Sequence, residues 1–187
     1  MKSANMRYTI CVVFLLSLPV FSCRGTQLVS HGPAWIIHIP SEWRLLEKGK
    51  SKDTVYAAYK RIPVYGQDHA KTVPSCMITT GTVNTGTTIS ELALNQQSAI
   101  IADMEIKGYR IHSFRKDLQE EIKTAFRINN IVSLAYEYRH EDSEKPFLTI
   151  AVYAIKGGSY ININIDSSAE TYRRLGKEIY QIISSIR

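Results

Sequence analysis

The thiol of Cys23 has the most informative surroundings of any reactive side chain, in the stretch Leu18-Pro19-Val20-Phe21-Ser22-Cys23. Lys2 and Arg7 form a basic lead, an apolar run from Ile10 to Val20 follows, and small Ser22 directly precedes the cysteine. An apolar run of roughly a dozen residues is too short to cross a bilayer core of about 30 Å as a helix, but it suits a signal segment. Pro19 breaks the run near its end and presents an extended segment for cleavage. Other reactive motifs are missing. The sequence has no G-x-S-x-G, no Walker loop and no G-x-G-x-x-G, so it marks no catalytic residue and no cofactor site. His31, His38, His69, His112 and His140 lack metal-ligand spacing, and no C-x-x-C or aspartate-rich calcium loop accompanies them. His140-Glu141-Asp142 and Asp68-His69 read as solvated loop residues, and no metal site is expected.

The layout around Cys23 resembles a bacterial lipoprotein signal, with Val20 and Phe21 replacing the Leu and Ala/Ser usual there. The resemblance implies a diacylglycerol on the Cys23 thiol, cleavage before it, and membrane lipid as the first partner. An ordinary secretory signal with an incidental cysteine, or an uncleaved anchor, are the alternatives. The expected organisation is a signal peptide over residues 1–22, a flexible tether over 23–33 and one α/β domain over 34–187. Such a tether would hold the domain within about 20–35 Å of the bilayer. Cys76 then remains without a disulfide partner, and its apolar neighbours Met77 and Ile78 predict an inert, packed thiol.

Without Lys2 and Arg7 the formal charge is +4, from 21 basic and 17 acidic side chains. That mild excess is spread along the chain, which excludes a basic arm and makes nucleic acid an unsuitable partner. About 165 residues after the signal suffice for one domain with its own core.

The elements that must position any site follow from periodicity. Residues 35–39 read as a strand ended by Pro40 and Ser41. Residues 54–60 read as a second, with Val55, Ala57 and Tyr59 on one face. Residues 62–74 read as a mobile loop, and 76–80 as a third strand. Thr88 and Glu91 form a capping box for a helix that carries Ile89, Leu92, Ala93, Ala99, Ile100 and Met104 and stops at Gly108. Residues 110–115 form a short strand, and 130–139 form another with Val132, Leu134, Tyr136 and Tyr138 on one face. Residues 147–156 are apolar on both faces, the signature of a central covered strand. Gly157-Gly158 is a hairpin turn, and the return strand sets Ile161, Ile163 and Ile165 against Asn162, Asn164 and Asp166. Ser167 and Glu170 read as a second capping box, opening a helix with Tyr172, Leu175, Ile179, Ile182 or Ile183, and Ile186 on its apolar stripe. These elements predict an α/β fold: a single-domain layered α/β/α sandwich with a mainly antiparallel sheet.

This order, with Pro40-Ser41-Glu42-Trp43 after the first strand and Ser185-Ile186-Arg187 at the close, resembles the PsbP/Mog-like superfamily. One departure is the glycine missing from the P-S-G-W form. The resemblance implies a compact α/β/α domain whose relatives, a photosystem II subunit and a Ran-binding protein among them, act by binding proteins and not by catalysis. Trp43 reads as a plug at the core edge, with exposed recognition as its alternative. Most of the 11 tyrosines read as packing, with a Tyr-lined groove or interface as the alternative. Trp43, Tyr136 and Tyr138 are the candidate interaction residues. The leading expectation is a membrane-anchored bacterial lipoprotein acting as a non-catalytic binding module on an envelope protein. A small-ligand carrier, with its pocket between the sheet and the 88–107 helix, and an envelope hydrolase built from separated residues are the alternatives.

Overall fold

The computed structural model describes residues 26–31, 34–65, 71–125 and 131–187; Cys23 and the Asp68-His69 pair lie outside them. The chain opens on β1 (Thr26–His31), which pairs antiparallel with β2 (Trp35–Pro40) as a separate ribbon. Over Thr26–His31 a paired strand thus stands where part of the flexible tether was expected. A sequence poor in apolar residues becomes a strand here because β2 would otherwise present a bare hydrogen-bonding edge. The C-terminus clasps the same ribbon: Ile36 N–H donates to the Arg187 carbonyl at 2.9 Å, Arg187 N–H returns to Ile36 at 3.2 Å, and His38 N–H donates to Ser185 Oγ at 2.8 Å.

Seven further strands form one sheet: β3 (Trp43–Ser51), β4 (Thr54–Arg61), β7 (Ser75–Thr82), β8 (Tyr109–Phe114), β9 (Ile131–His140), β10 (Phe147–Lys156) and β11 (Ser159–Ser168). Their order is β3-β4-β7-β11-β10-β9-β8, and every neighbouring pair is antiparallel. β3 carries no strand signal in the sequence because Arg44, Leu45, Leu46, Glu47 and Lys48 do not alternate. It is an edge strand with a register shift between Leu45 and Glu47, so nothing covers it to impose alternation. The supposed loop at 62–74 contains two short paired strands, β5 (Val64–Tyr65) and β6 (Lys71–Thr72).

Three helices complete the layers. α1 (Ile89–Ile106) starts at Thr88, whose side chain accepts from Glu91 N–H while the Glu91 carboxylate accepts from Thr88 N–H, the expected box. α3 (Ala169–Ser184) is capped by Ser168, not Ser167: Ser168 Oγ accepts from Thr171 N–H at 3.0 Å, whereas Ser167 is still a buried strand residue. α2 (Lys116–Ala125) carries too many charges to read as a helix, yet Leu118 and Ile122, one turn apart, are both buried.

α2, α3 and the β1–β2 ribbon cover one face of the sheet. There Trp35, Ile37, Ile39 and Trp43 join the inward isoleucines of β11 and the apolar stripe of α3. α1 covers the other face over a smaller cluster of Ala93, Ala151 and Tyr153, flanked by Val132 and Leu134. β10 is buried on both sides, as its sequence requires. Gly157 and Gly158 have φ of 57° and 74°, the left-handed pair that a two-residue hairpin demands.

Candidate functional site

The two faces of the sheet are unequally covered, and the site arises from that inequality. α1 packs against β8, β9 and β10 and leaves part of the β11–β7 surface open beneath its last turn. The polar face of β11 runs into this gap. A cavity of about 470 Å³ lies between α1 and the sheet, lined by Met77, Met104, Tyr109, Tyr138, Asn164 and Asp166 among others. A second hollow of about 440 Å³ adjoins it towards Lys71, Lys145 and Phe147, with Tyr138 and Asp166 common to both.

Asp166 is the floor of the cleft. Its register partner on β10 is Thr149, whose hydroxyl donates to Oδ1, and the Tyr138 hydroxyl is a second donor. Burial holds the Asp166 carboxyl above the usual carboxylate range, against the opposite pull of these two hydrogen bonds. Among the described residues no lysine or arginine pairs with it. Next to it on the same face is Asn164. Its Nδ2 donates to Asn162 Oδ1 at 3.1 Å and Asn162 Nδ2 donates to Gln96 Oε1 at 3.1 Å, which orients both amides. Asn164 Oδ1 is left buried and without a donor. An acceptor in that state costs about 1–3 kcal/mol.

The aromatic wall is continuous. Tyr138 meets Tyr109 edge-on at 5.6 Å, lies 6.2 Å from Tyr136 and stacks on Phe147 at 5.5 Å. Behind it, Tyr153 Oη donates to Gln97 Oε1 at 3.0 Å and Gln97 Nε2 donates to Tyr136 Oη at 2.6 Å. This chain ties α1 to β9 and β10 and makes the back of the cleft rigid. Burial pushes the Tyr136 phenol up to about 12, so it stays neutral and serves as a hydrogen-bonding group.

The candidate interaction residues separate. Tyr138 stands in the cleft. Tyr136 is 1% exposed and forms its rear wall. Trp43 is 0% exposed and packed in the opposite core, with Nε1 donating to Glu178 Oε2 at 3.2 Å, so it offers no recognition surface. Its indole N–H is satisfied inside the domain, which removes the reason for it to face solvent. Cys76 is buried and free, its thiol raised by desolvation, and it packs as expected. His140 stays in its hairpin, where Nδ1 accepts from Asp142 N–H at 3.2 Å and its ring packs on Tyr109 at 4.8 Å. No group of three or more potential metal ligands exists among the described residues. Asp166, Asn164 and Thr149 were not singled out from the sequence. Their signal was the carboxylate and amides on one face of a strand pairing with a fully apolar neighbour.

A Thr149–Asp166 pair raises the question of nucleophile and base. Thr149 is 3% exposed although it lines the same cavity, and cross-strand register accounts for its contact with Asp166.

With this topology in view, the architecture is that of the PsbP/Mog1-like α/β fold: one domain with a seven-stranded antiparallel sheet and three helices. The chain is similar to the solution structure of cyanobacterial PsbP (CyanoP) from Synechocystis, with 14% identity, a TM-score of 0.53, and coverage of 92% of this chain and 98% of that one. It is also similar to the Saccharomyces cerevisiae Ran-binding protein Mog1p, at 9% identity and TM-score 0.48 over 88% and 95% of the two chains. LpqN, involved in cell envelope biogenesis of Mycobacterium tuberculosis, follows at 12% and 0.46 over 87% and 89%. At these identities the likeness is one of fold. No family model and no curated protein matches the sequence. Among the described residues no helix is long and apolar enough to cross a membrane.

Proposed function

We propose that the chain is a lipid-anchored, non-catalytic binding module of a bacterial cell envelope, and that the cleft between α1 and the sheet is its recognition site. The observation that carries this reading is the cleft itself: a solvent-open groove with a rigid aromatic back wall and an uncompensated carboxylate at its floor. The signal-like segment ending at Cys23 supports the anchor. So does the chain geometry, with a revised distance. β1 starts at Thr26, three Cα–Cα steps from Cys23, so an anchored chain lies within about 11 Å of its lipid instead of on a long tether. Thr26 pairs with Pro40, close in sequence to the start of β3, where exposed Leu45, Leu46 and Ile62 lie among Arg44 and Lys60. An apolar and basic edge of this kind is compatible with an adjacent anionic bilayer.

The small-ligand carrier reading places its pocket in the same cleft. The binding module is preferred because the cleft opens to solvent and has a polar floor, whereas a carrier for apolar molecules needs an enclosed apolar chamber. Capture from solubilised envelopes tests the proposal. Wild type is expected to enrich a partner, and Tyr138→Ala to enrich it several-fold less. No enrichment by wild type, together with a measurable turnover, would overturn the binding-module reading.

A further inference from the structure

We propose that the α1-side cavity receives an organic cation bearing N–H donors, an ammonium or guanidinium group, with Asp166 as its counter-ion and Asn164 Oδ1 as a second acceptor. The inference deepens the binding-module reading and rests on it.

Three observations converge. The first is charge. Of the ionisable side chains lining this cavity, Asp103 and Lys107 pair with each other at 2.6 Å, which leaves Asp166 as the acid there without a cationic partner. A carboxylate in a desolvated site with no cationic partner is an unfinished ion pair, and an entering cation completes it. Lys71 and Lys145 belong to the adjoining hollow and are exposed, so their repulsion is screened by salt.

The second is hydrogen bonding. Asp166 receives hydroxyl donors from Thr149 and Tyr138, and as a carboxylate it has acceptor capacity beyond them. Asn164 Oδ1 has no donor at all. It is sealed from solvent, so a small rotation of the Asn164 side chain must accompany its capture of an incoming N–H. Both groups accept, and an ammonium or guanidinium group only donates. A quaternary ammonium would satisfy the charge but neither acceptor.

The third is the wall. Tyr109, Tyr136 and Tyr138 line the same cavity as the carboxylate, together with Met77 and Met104. Aromatic faces favour a cation, and an apolar flank accepts the methylene stem that lysine-like and arginine-like groups carry. The cavity of about 470 Å³ suits one such side chain or a small diamine.

Calorimetric and NMR titration of the full chain in detergent micelles tests the proposal, with cadaverine, agmatine and Nα-acetyl-lysine methylamide as probes. Tetramethylammonium and pentanol are the controls, the first charged without N–H, the second apolar without charge. At least one amine or guanidine probe is expected to bind saturably, moving Tyr138 and Met104 resonances, and at least ten-fold more tightly than either control. Binding of the blocked lysine points to a partner protein's side chain; binding of cadaverine or agmatine alone points to a free amine. Both support the cation site.

Asp166→Asn should weaken the best probe at least ten-fold and Asn164→Ala about three-fold. Asp166→Asn removes a buried charge, and an unlowered melting temperature shows that its loss of binding is not unfolding. Wild-type affinity should also fall as pH is lowered, because protonation of Asp166 removes the counter-ion while the probes stay charged. The other groups facing it are Asp103 and Lys107 on α1, Tyr109 on β8, Tyr136 and Tyr138 on β9, and Lys71 and Lys145 at the rim. His140 packs on Tyr109, and His140→Gln should keep the pH dependence.

Absence of saturable probe binding overturns the proposal. So does equal affinity for tetramethylammonium, or an unchanged affinity in Asp166→Asn. Partner capture separates the two readings. Tyr138-dependent capture without cation binding ends the cation site alone, whereas cation binding with no partner at all ends the protein-binding role.

Discussion

Glu178 shows how a charged residue comes to lie in a core. Arg61 Nε and Nη2 donate to its two carboxylate oxygens at 2.9 and 2.8 Å, and Trp43 Nε1 shares Oε2. Both ionic side chains are nearly buried, at 12% and 11% exposure. Removing one partner strands the other charge, so Arg61→Met should cost about 3–5 kcal/mol in urea unfolding. Arg61→Met with Glu178→Leu should recover most of that loss, short of about 1 kcal/mol for the acceptor that Trp43 Nε1 no longer has. Asp166 behaves differently because it has hydroxyl donors but no countercharge. Its folded pKa lies above the unfolded value of about 3.9. The folded chain therefore holds more protons than the unfolded one in a window that opens near pH 4. Stability from this group is greatest below that window and falls as pH rises through it. Unfolding measured from pH 4 to 8 should show that decline, and Asp166→Asn should flatten it. A variant with the wild-type slope would assign the decline to other groups.

At the scale of elements, the end of α1 decides the shape of the cleft. Its last turn carries Met104, its C-cap is Lys107, and Gly108 then reverses the chain into Tyr109 on β8. Gly108 has φ of 80°, and its carbonyl accepts from Glu141 N–H at 2.9 Å, which fixes the β9–β10 hairpin beside it. A Cβ at this position would lie 2.9 Å from Glu141 Oε1. The side chain of Glu141 can turn away, whereas the left-handed backbone cannot be relieved without moving the helix end. Gly108→Ala is expected to cost about 1–2 kcal/mol in stability. It should also weaken cleft binding, because it shifts Met104 relative to Tyr109. Differential scanning calorimetry with the titration above checks both. A full loss of stability with an unchanged cleft would show that helix end and site are independent.

The whole molecule is organised by its two unlike faces. One is sealed by α2, α3 and the ribbon, and the ribbon is held by the C-terminus; the other is half-covered by α1 and holds the cleft. The proposed anchor enters on the sealed side, through β1. Cys23→Ala should abolish incorporation of a radioactive fatty acid and release the chain from membranes. Its melting temperature should not change, since the nearest described residue, Thr26, is held by pairing with β2. Two or three acyl chains contribute about 0.8 kcal/mol per buried CH₂, so the wild-type anchor should be effectively permanent. A wild-type chain that takes up no label would refute the lipid anchor and leave the cleft untouched.

The sequence by itself determined the elements whose partners are close in the chain or whose pattern is self-sufficient. Gly157-Gly158 and the apolar runs beside it specify the β10–β11 hairpin, because only a left-handed pair closes it and only a covered strand is apolar on both faces. The box at Thr88 and the stripe on α3 were equally legible, since caps and stripes are local. Tertiary structure decided the rest. β1 exists because β2 needs an edge partner, and β3 because β4 does; neither has a pattern of its own. α2 is a helix because Leu118 and Ile122 find a core that lies far along the chain. Ser168, not Ser167, caps α3 because β11 extends one residue further to meet β10. The cleft was the least legible of all. Tyr138, Thr149 and Asp166 lie on three neighbouring strands, and spacing along a chain does not report which side chains cross-strand register will bring together. The alternation on β11 showed that Asn164 and Asp166 share a face. Only the incomplete cover of α1 left that face open to solvent at one end and made the carboxylate accessible from a cavity.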